Sequence, residues 1–408
     1  MPTTHDPAKP RVLIPEGYPA PFCFALGQRN VELVRKPLIR GSRVLRALDA
    51  VTFVSGRGFD LVHTLNAVPL TARIPYVVTF ESYLPRVPDD RYIAWLERVL
   101  LPRLHSDQCR ALFGFSEFAM RQFRTQLARY PGSEALLKKA EVLYPVAPVR
   151  VQGPRPAPTD VLRLLLVGGD FMRKGGPALV RAHEELVRRG VPVETTVVSS
   201  LGWSKGDVAG PESRSVVDDE VARLRRSGIQ YLPSLTNAQV LEAMAGAHFL
   251  ALPSVNETFG FVCLEAMGFG VPVLATRTYA LPEIVGDAGR LFDLPVDALG
   301  KWVGLAKRRT AQYDAMYLDL MDSLGGQMVG AVAELWEGRA AYPELSVAAL
   351  RQMRSKFDPE QARDRLEATY TRALSRQRAG SEPARARTSA DGPANRPAED
   401  TECSRETA

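Results

Sequence analysis

HFLALPSVNETFGFVCLEAMGFGVPVLATR, residues 248–277, changes periodicity twice. HFLALPS (248–254) is an apolar run of strand length, closed by Pro253 and Ser254. FVCLEAMGFG (261–270) reads as a helix that ends near Gly270. VPVLATR (271–277) is rich in β-branched residues and again of strand length. Strand, helix and strand in succession form a crossover unit, which requires a parallel sheet. On one unbroken helix, Glu257 and Glu265 would share an apolar face with Phe261. The crossover reading separates them. Glu257 falls in the loop leaving the strand, and Glu265 about one turn inside the helix.

The same alternation extends in both directions. VLRLLLVGGD (161–170), VPVETTVVSS (191–200) and IQYLPS (229–234) read as strands. PALVRAHEELVRRG (177–190), DDEVARLRRSG (218–228) and NAQVLEAMAGA (237–247) read as helices, the first closed by Gly190. Upstream, RVLIPEG (11–17), FDLVHTLNA (59–67), IPYVVTFES (74–82) and EVLYPVAPV (141–149) are strand-like. RYIAWLERVLLPRL (91–104) has helical spacing, and ALFGFSEFAMRQFRTQLARY (111–130) reads as a strand followed by a helix capped by Ser116. The proline-rich RVQGPRPAPTD (150–160) is a linker. Residues 296–375 are mostly helical in pattern, and 376–408 lack aromatics and periodicity, which predicts a disordered tail.

With 408 residues, two domains are expected. No apolar run approaches the roughly 18 residues that cross a bilayer, and MPTTHDPAKP has no signal-peptide core, so a cytoplasmic location is expected. The four cysteines are scattered, with no CxxC, HExxH or DxD pattern, so neither a disulfide frame nor a bound metal or cofactor is expected. Residues 1–150 carry 21 Lys and Arg against 13 Asp and Glu; the remainder carries 31 against 33. This basic half allows peripheral contact with a membrane surface. It has no dense basic cluster with interleaved aromatics, so no nucleic acid is expected.

Ligands of open parallel sheets sit at the carboxyl ends of strands. Glu257 is there, beside the amides of Phe259, Gly260, Phe261 and Val262 at a helix start. Those amides favour an anion, while a carboxylate accepts from hydroxyls. GGDFMRKGG (168–176) supplies a second such loop, with Arg173 and Lys174 for charge and Gly168, Gly169, Gly175 and Gly176 for close approach. Alone it reads as a glycine-rich turn with two solvated cations. It matches neither GxxxxGK[ST] nor GxGxxG. Phosphate and vicinal hydroxyls together describe a nucleotide sugar.

Residues 161 to about 290 resemble the family 4 retaining glycosyltransferases (glycosyl transferases group 1), on VGGDFMRKGG and LPSVNETFGFVCLEAMGFGVPVLATRTYALPEIVGDAGRLF. In the N-terminal half, DLVHTLN, PYVVTFE and GFSEF stand where that family has corresponding strands. The resemblance implies a GT-B fold, two Rossmann-like domains facing across a cleft. Residues 1–149 would form the acceptor-side domain and 161–355 the nucleotide-sugar domain. A helix over 356–375 would pack back on the N-terminal domain, with Leu366, Tyr370 and Leu374 as its stripe.

By the same resemblance, Lys174 and Arg173 would neutralise the donor diphosphate and Glu265 would hold the ribose. Glu257 and the amides of 259–262 would serve the transferred sugar and phosphates. Tyr231 and Leu232 would lie near the base, and Glu81 near the anomeric centre. The reaction implied is metal-free, retaining transfer by front-face attack of an acceptor hydroxyl. The acceptor would be a glycan, a lipid-linked molecule or a small molecule. Gly169 departs from the family, which usually carries arginine there. Glu81 reads equally as a surface or capping carboxylate, and Glu283 equally as an organiser of the donor loop or a helix cap. His63 reads as a satisfied strand-end histidine. A non-catalytic GT-B nucleotide- or glycan-binding protein and a sugar-nucleotide epimerase are the alternatives.

Overall fold

The computed structural model describes residues 9–381 apart from 18, 25–27, 42–49, 71–72, 87–89 and 204–208. Its centre is two parallel six-stranded sheets. The N-terminal sheet runs, edge to edge, Glu32–Lys36, Arg11–Pro15, Leu61–Leu65, Tyr76–Phe80, Cys109–Gly114 and Ala140–Val142. The C-terminal sheet runs Gln230–Leu232, Val193–Val198, Leu162–Val167, Phe249–Leu252, Val273–Thr276 and Gly289–Phe292. Its first strand in sequence is third in space, and the strand order reverses between Leu162–Val167 and Phe249–Leu252. That is the order of a doubly wound dinucleotide fold, which opens a crevice at the reversal.

The strands follow from their sequences. Phe249–Leu252 is buried throughout, and Leu162–Val167 exposes only Arg163. Parallel strands covered on both faces need such unbroken apolar runs. Leu162, Leu164 and Leu166 pack with Ala178, Leu179 and Ala182 of helix Gly176–Arg188 and with Tyr317 and Leu324 of helix Tyr313–Glu337. Leu165 points the other way, towards Val198 and Met244.

Several expectations are corrected. The strand expected over 141–149 is Ala140–Val142, starting one residue earlier and ending early because Pro145 and Pro148 bring no amide hydrogens to a ladder. The helix expected from 218 begins at Arg214, where Val217 already sits in the core. The last helix, Pro359–Ser381, runs past the expected end at 375; Arg376, Gln377, Arg378 and Ala379 all have good helix propensity. Residues 382–408 of the expected tail lie outside the described residues. A small third sheet of Ile39–Arg40, Val51–Phe53 and Val68–Pro69 has no counterpart in the sequence reading.

The halves share one apolar core. Val12, Ile14, Leu61, Phe113 and Phe115 of the first belong to the same buried cluster as Leu250, Phe259, Phe261 and Met267 of the second. Phe115 lies 5.8 Å from Phe259 and 5.7 Å from Phe261, and Phe22 lies 4.8 Å from Phe261. Each such aromatic pair contributes about 0.5–1.5 kcal/mol beyond its buried area. Helix Tyr342–Lys356 packs on Phe261–Gly268 of the second half. The chain then crosses, and Pro359–Ser381 buries Leu366, Tyr370 and Ala373 among Phe24, Val31 and Leu61 of the first. Leu374 is only partly buried. Residues 150–160 have no regular element but are pinned: Arg150 N–H donates to Gly268 O at 2.7 Å and Arg155 N–H to Ser346 Oγ at 2.9 Å.

Candidate active site

The loops leaving Leu162–Val167 and Phe249–Leu252 meet at the reversal of strand order. Gly175 makes this possible. Its φ is +74°, and a side chain there would collide with the carbonyl oxygen of Pro253. The stem of Lys174 lies over Gly168, and its ammonium pairs with the Glu257 carboxylate. These two side chains are 13% and 10% exposed, so the pair is largely removed from water. Arg173 stitches the same loops together. Its Nη1 donates to Asn256 O at 2.8 Å, its Nε to Asp170 Oδ2 at 3.1 Å, and its carbonyl accepts Val255 N–H at 3.0 Å.

After Glu257 the chain turns through Gly260, with φ +93°, into helix Phe261–Gly268. The amides of Phe259, Gly260 and Val262 meet no acceptor among the described residues. They are the unsatisfied donors of a helix start. Glu265, one turn inside, is half-buried and has no hydrogen bond or ion pair among the described residues. Burial raises its carboxyl above the usual range, and Arg150 partly opposes this. The buried Cys263 thiol links these groups. It is raised first by burial and then by Glu257, is lowered by Lys174, and is raised again by Glu265. Three charged side chains that act on one thiol gather around one place.

The other proposed donor residues lie towards the sheet edge. Gly169 O accepts from Ser199 Oγ at 3.2 Å, Ser200 Oγ at 3.1 Å and Gly202 N–H at 2.9 Å. Leu232 O accepts Ser199 N–H at 3.0 Å, and Tyr231 Oη donates to Ser199 O at 3.0 Å. Leu232, Val167 and Val262 pack around one small apolar cluster. A hollow of about 580 Å³ beside them is bounded by Ser200, Tyr231, Arg214 and Arg225.

The N-terminal half reaches this site. Glu81, just past Tyr76–Phe80, accepts from Thr258 Oγ, next in sequence to Glu257, and so spans the cleft. It also accepts from Arg86 Nη1 at 2.9 Å and Asn66 Nδ2 at 3.4 Å. Lys301 Nζ reaches Tyr83 Oη, and Glu283 makes a third tie. The Glu283 carboxylate accepts Glu117 N–H at 2.9 Å, Phe118 N–H at 2.8 Å and Tyr144 Oη–H at 3.0 Å. Glu283 therefore caps a helix start, but in the opposite half. Ser116 Oγ accepts Ala119 N–H at 3.0 Å in that helix.

Lys174, Arg173, Glu257, residues 259–262 and Glu265 thus converge, with Glu81 across the cleft and Gly169 and Leu232 off to one side. His63 does not join them. It is buried between Tyr370 Oη and Thr79 Oγ1, both at 2.7 Å, and burial pushes it down to about 3. Sequence reasoning missed Thr258, Asp170, Asn66 and Ser199. Thr258 sits inside the quoted motif and was within reach; Asn66 carried no signal. Among the described residues, no three His, Cys, Asp or Glu gather as metal ligands, and no helix is long and apolar enough to cross a membrane.

Residues 161–301 match the family described as glycosyl transferases group 1. A D-inositol 3-phosphate glycosyltransferase of Saccharomonospora viridis is 26% identical over 236 residues, covering 56% of this chain and 52% of that protein. An O-antigen chain mannosyltransferase B of Escherichia coli is 27% identical over 257 residues, 58% of this chain and 60% of that one. The chain thus spans about half the length of these relatives. Among solved structures, Anabaena HepE in complex with UDP superposes with a TM-score of 0.57 at 13% identity, over 89% of this chain and all of that one. The fold is GT-B: two Rossmann-like halves face each other across a cleft, and a helix crosses back to the first.

Proposed function

We propose that this chain, whose residues 161–301 match the glycosyl transferases group 1 family, transfers a sugar from a nucleotide-diphosphate donor to an acceptor hydroxyl. One observation carries the reading. A buried Lys174–Glu257 pair, the amides of Phe259, Gly260 and Val262 and the half-buried carboxylate of Glu265, the last two without partners among the described residues, meet at the strand-order reversal.

Each group has work suited to it. Lys174, Arg173 and the helix starts stabilise the charge that grows on the departing diphosphate. The amides of 259–262 hold phosphate or sugar oxygens. Glu257 accepts from hydroxyls of the transferred sugar and Glu265 from the ribose diol, with the base towards Tyr231 and Leu232. The acceptor oxygen attacks the anomeric carbon on the face the diphosphate leaves. The new C–O bond forms as the old one breaks, its electron pair departs with the diphosphate, and the acceptor proton passes to a diphosphate oxygen. The configuration is retained without a metal or a glycosyl-enzyme intermediate. Glu81, engaged by Thr258, Arg86 and Asn66, acts as a positioning group that holds the donor loop beneath the acceptor half. Location at the cytoplasmic side of a membrane, on a glycan, lipid-linked or small acceptor, is part of this proposal.

A panel of nucleotide-diphosphate sugars tests it by thermal shift. At least one should raise the melting temperature of the wild type and leave Lys174→Ala and Glu265→Ala unmoved. No shift from any member overturns the reading. Anomeric configuration in the product, read by proton NMR, tests retention. Gly169, where an arginine is usual, favours one second reading, a binder that retains the nucleotide site without transfer. Slow donor hydrolysis without acceptor would rule that out.

A further inference from the structure

On the side of the N-terminal half away from the cleft, the helix Pro359–Ser381 meets the outer strands Cys109–Gly114 and Ala140–Val142 around a hollow of about 360 Å³. The small side chains of Ala140 and Ala373 leave the space, and Arg110, Lys138, Lys139 and Arg372 line it. The single carboxylate there, Glu141, is already paired with Arg365 at 2.9 Å. Lys139 donates to Leu104 O, His105 O and Ser106 O at 3.2, 3.0 and 3.0 Å. Among the described residues, the Arg372 side chain reaches only the neutral Thr369 Oγ1, at 3.0 Å. The Arg110 side chain makes no ion pair or hydrogen bond among the described residues, and its Nε is buried without an acceptor. The Lys138 side chain has no partner among them either.

A solvated surface accounts for Lys138 and Arg372. It does not account for Arg110, because a buried guanidinium nitrogen without an acceptor costs more than an exposed one. An anion seated in the hollow would supply that acceptor and meet the cations that line it. Arg110, second in the strand Cys109–Gly114, stands about 13 Å at strand rise from the end that faces the cleft, so a donor held on the loops of the opposite half does not supply the acceptor.

We propose that this hollow binds a phosphate-bearing anion. Its oxygens accept from the Arg110 fork and are flanked by Lys138 and Arg372, so the ligand fastens the last helix to the sheet edge.

The test uses the full chain carrying Lys174→Ala, which weakens the cleft site, and titrates it calorimetrically with inorganic pyrophosphate. Binding is expected, and adding Lys138→Glu with Arg372→Glu should weaken it at least about tenfold. Both of these side chains are exposed, and circular dichroism of the variant checks that the fold is kept. Co-sedimentation with phosphatidylcholine vesicles, with and without phosphatidylglycerol, separates the sources. Anionic-vesicle binding lost in the same variant assigns a lipid headgroup, and pyrophosphate binding alone assigns a soluble phosphorylated molecule. Binding of neither probe, or binding indifferent to the two charge reversals, overturns the proposal.

Discussion

Replacing Lys174 by methionine separates its structural part in the site from its proposed part in donor binding. Methionine keeps the stem over Gly168 but leaves the Glu257 carboxylate, 10% exposed, without its cation. Removing one partner of such a buried pair costs about 3–5 kcal/mol, whereas replacing both by neutral groups of similar size is close to neutral. Lys174→Met alone should therefore cost about 3 kcal/mol or more, and Lys174→Met with Glu257→Gln should recover most of it. Donor binding should not recover. Loss of a charge-assisted contact to the diphosphate is worth about 1.5–3 kcal/mol, roughly 10- to 150-fold in affinity. Urea unfolding, followed by the fluorescence of Trp203, Trp302 and Trp336 in the same half, measures the first effect. Calorimetric titration with the donor measures the second. The reasoning fails if the single variant costs under about 1 kcal/mol, or if the double variant binds donor as the wild type does.

Other consequences can be measured separately. Thr258→Val removes the hydroxyl that reaches Glu81 across the cleft; kcat should fall about tenfold while donor affinity changes little, since a hydrogen bond to a charged group is worth about 1.5–3 kcal/mol. Gly169→Arg should fold, because the position is not left-handed and an added Cβ meets only Ser200 Oγ, at 3.3 Å. It should tighten nucleotide-diphosphate binding, and unchanged affinity by calorimetry would argue against Gly169 facing the phosphates. His63 is pushed from 6.5 to about 3, so it gives full stability above pH 6.5 and loses it as pH falls through that window. At pH 5 the loss is about 2 kcal/mol, at about 1.36 kcal/mol per pH unit. His63→Gln should show a pH-dependent loss smaller by that amount in parallel urea titrations at pH 7.5 and 5. Because burial raises Glu265 and hydroxyls need its ionised form, donor affinity should begin to decline, as pH falls, above the ordinary carboxylate range, and this decline should be absent in Glu265→Gln.

The second half was legible because its chemistry and its fold share one short motif. Runs such as LRLLLV and FLAL admit few readings when both faces of a sheet are covered. The glycine loop and the two glutamates then fall by topology at one crevice. Contacts between the halves were not legible. Glu81 and Thr258 are 177 residues apart, and neither has a pattern that names the other. Glu283 looked like a local cap because its helix, Leu281–Val285, is local; its real partners are amides 165 and 166 positions away. The small sheet escaped because strands of two or three residues carry no periodicity. The early end of Ala140–Val142 was legible in principle, since Pro145 and Pro148 were in view.

The polypeptide passes between its halves twice, outward near Val149 and back near Phe357. Tyr144, just before the first passage, packs edge-on against Phe357 at 5.5 Å, which brings the passages together. Two neighbouring threads behave like the pins of a door. They permit swinging about the line that joins them and resist sliding or twisting in other directions. Swinging about that line would have to break the contacts of Glu81 with Thr258 and of Tyr83 with Lys301, so these two ties hold the crevice in its present width.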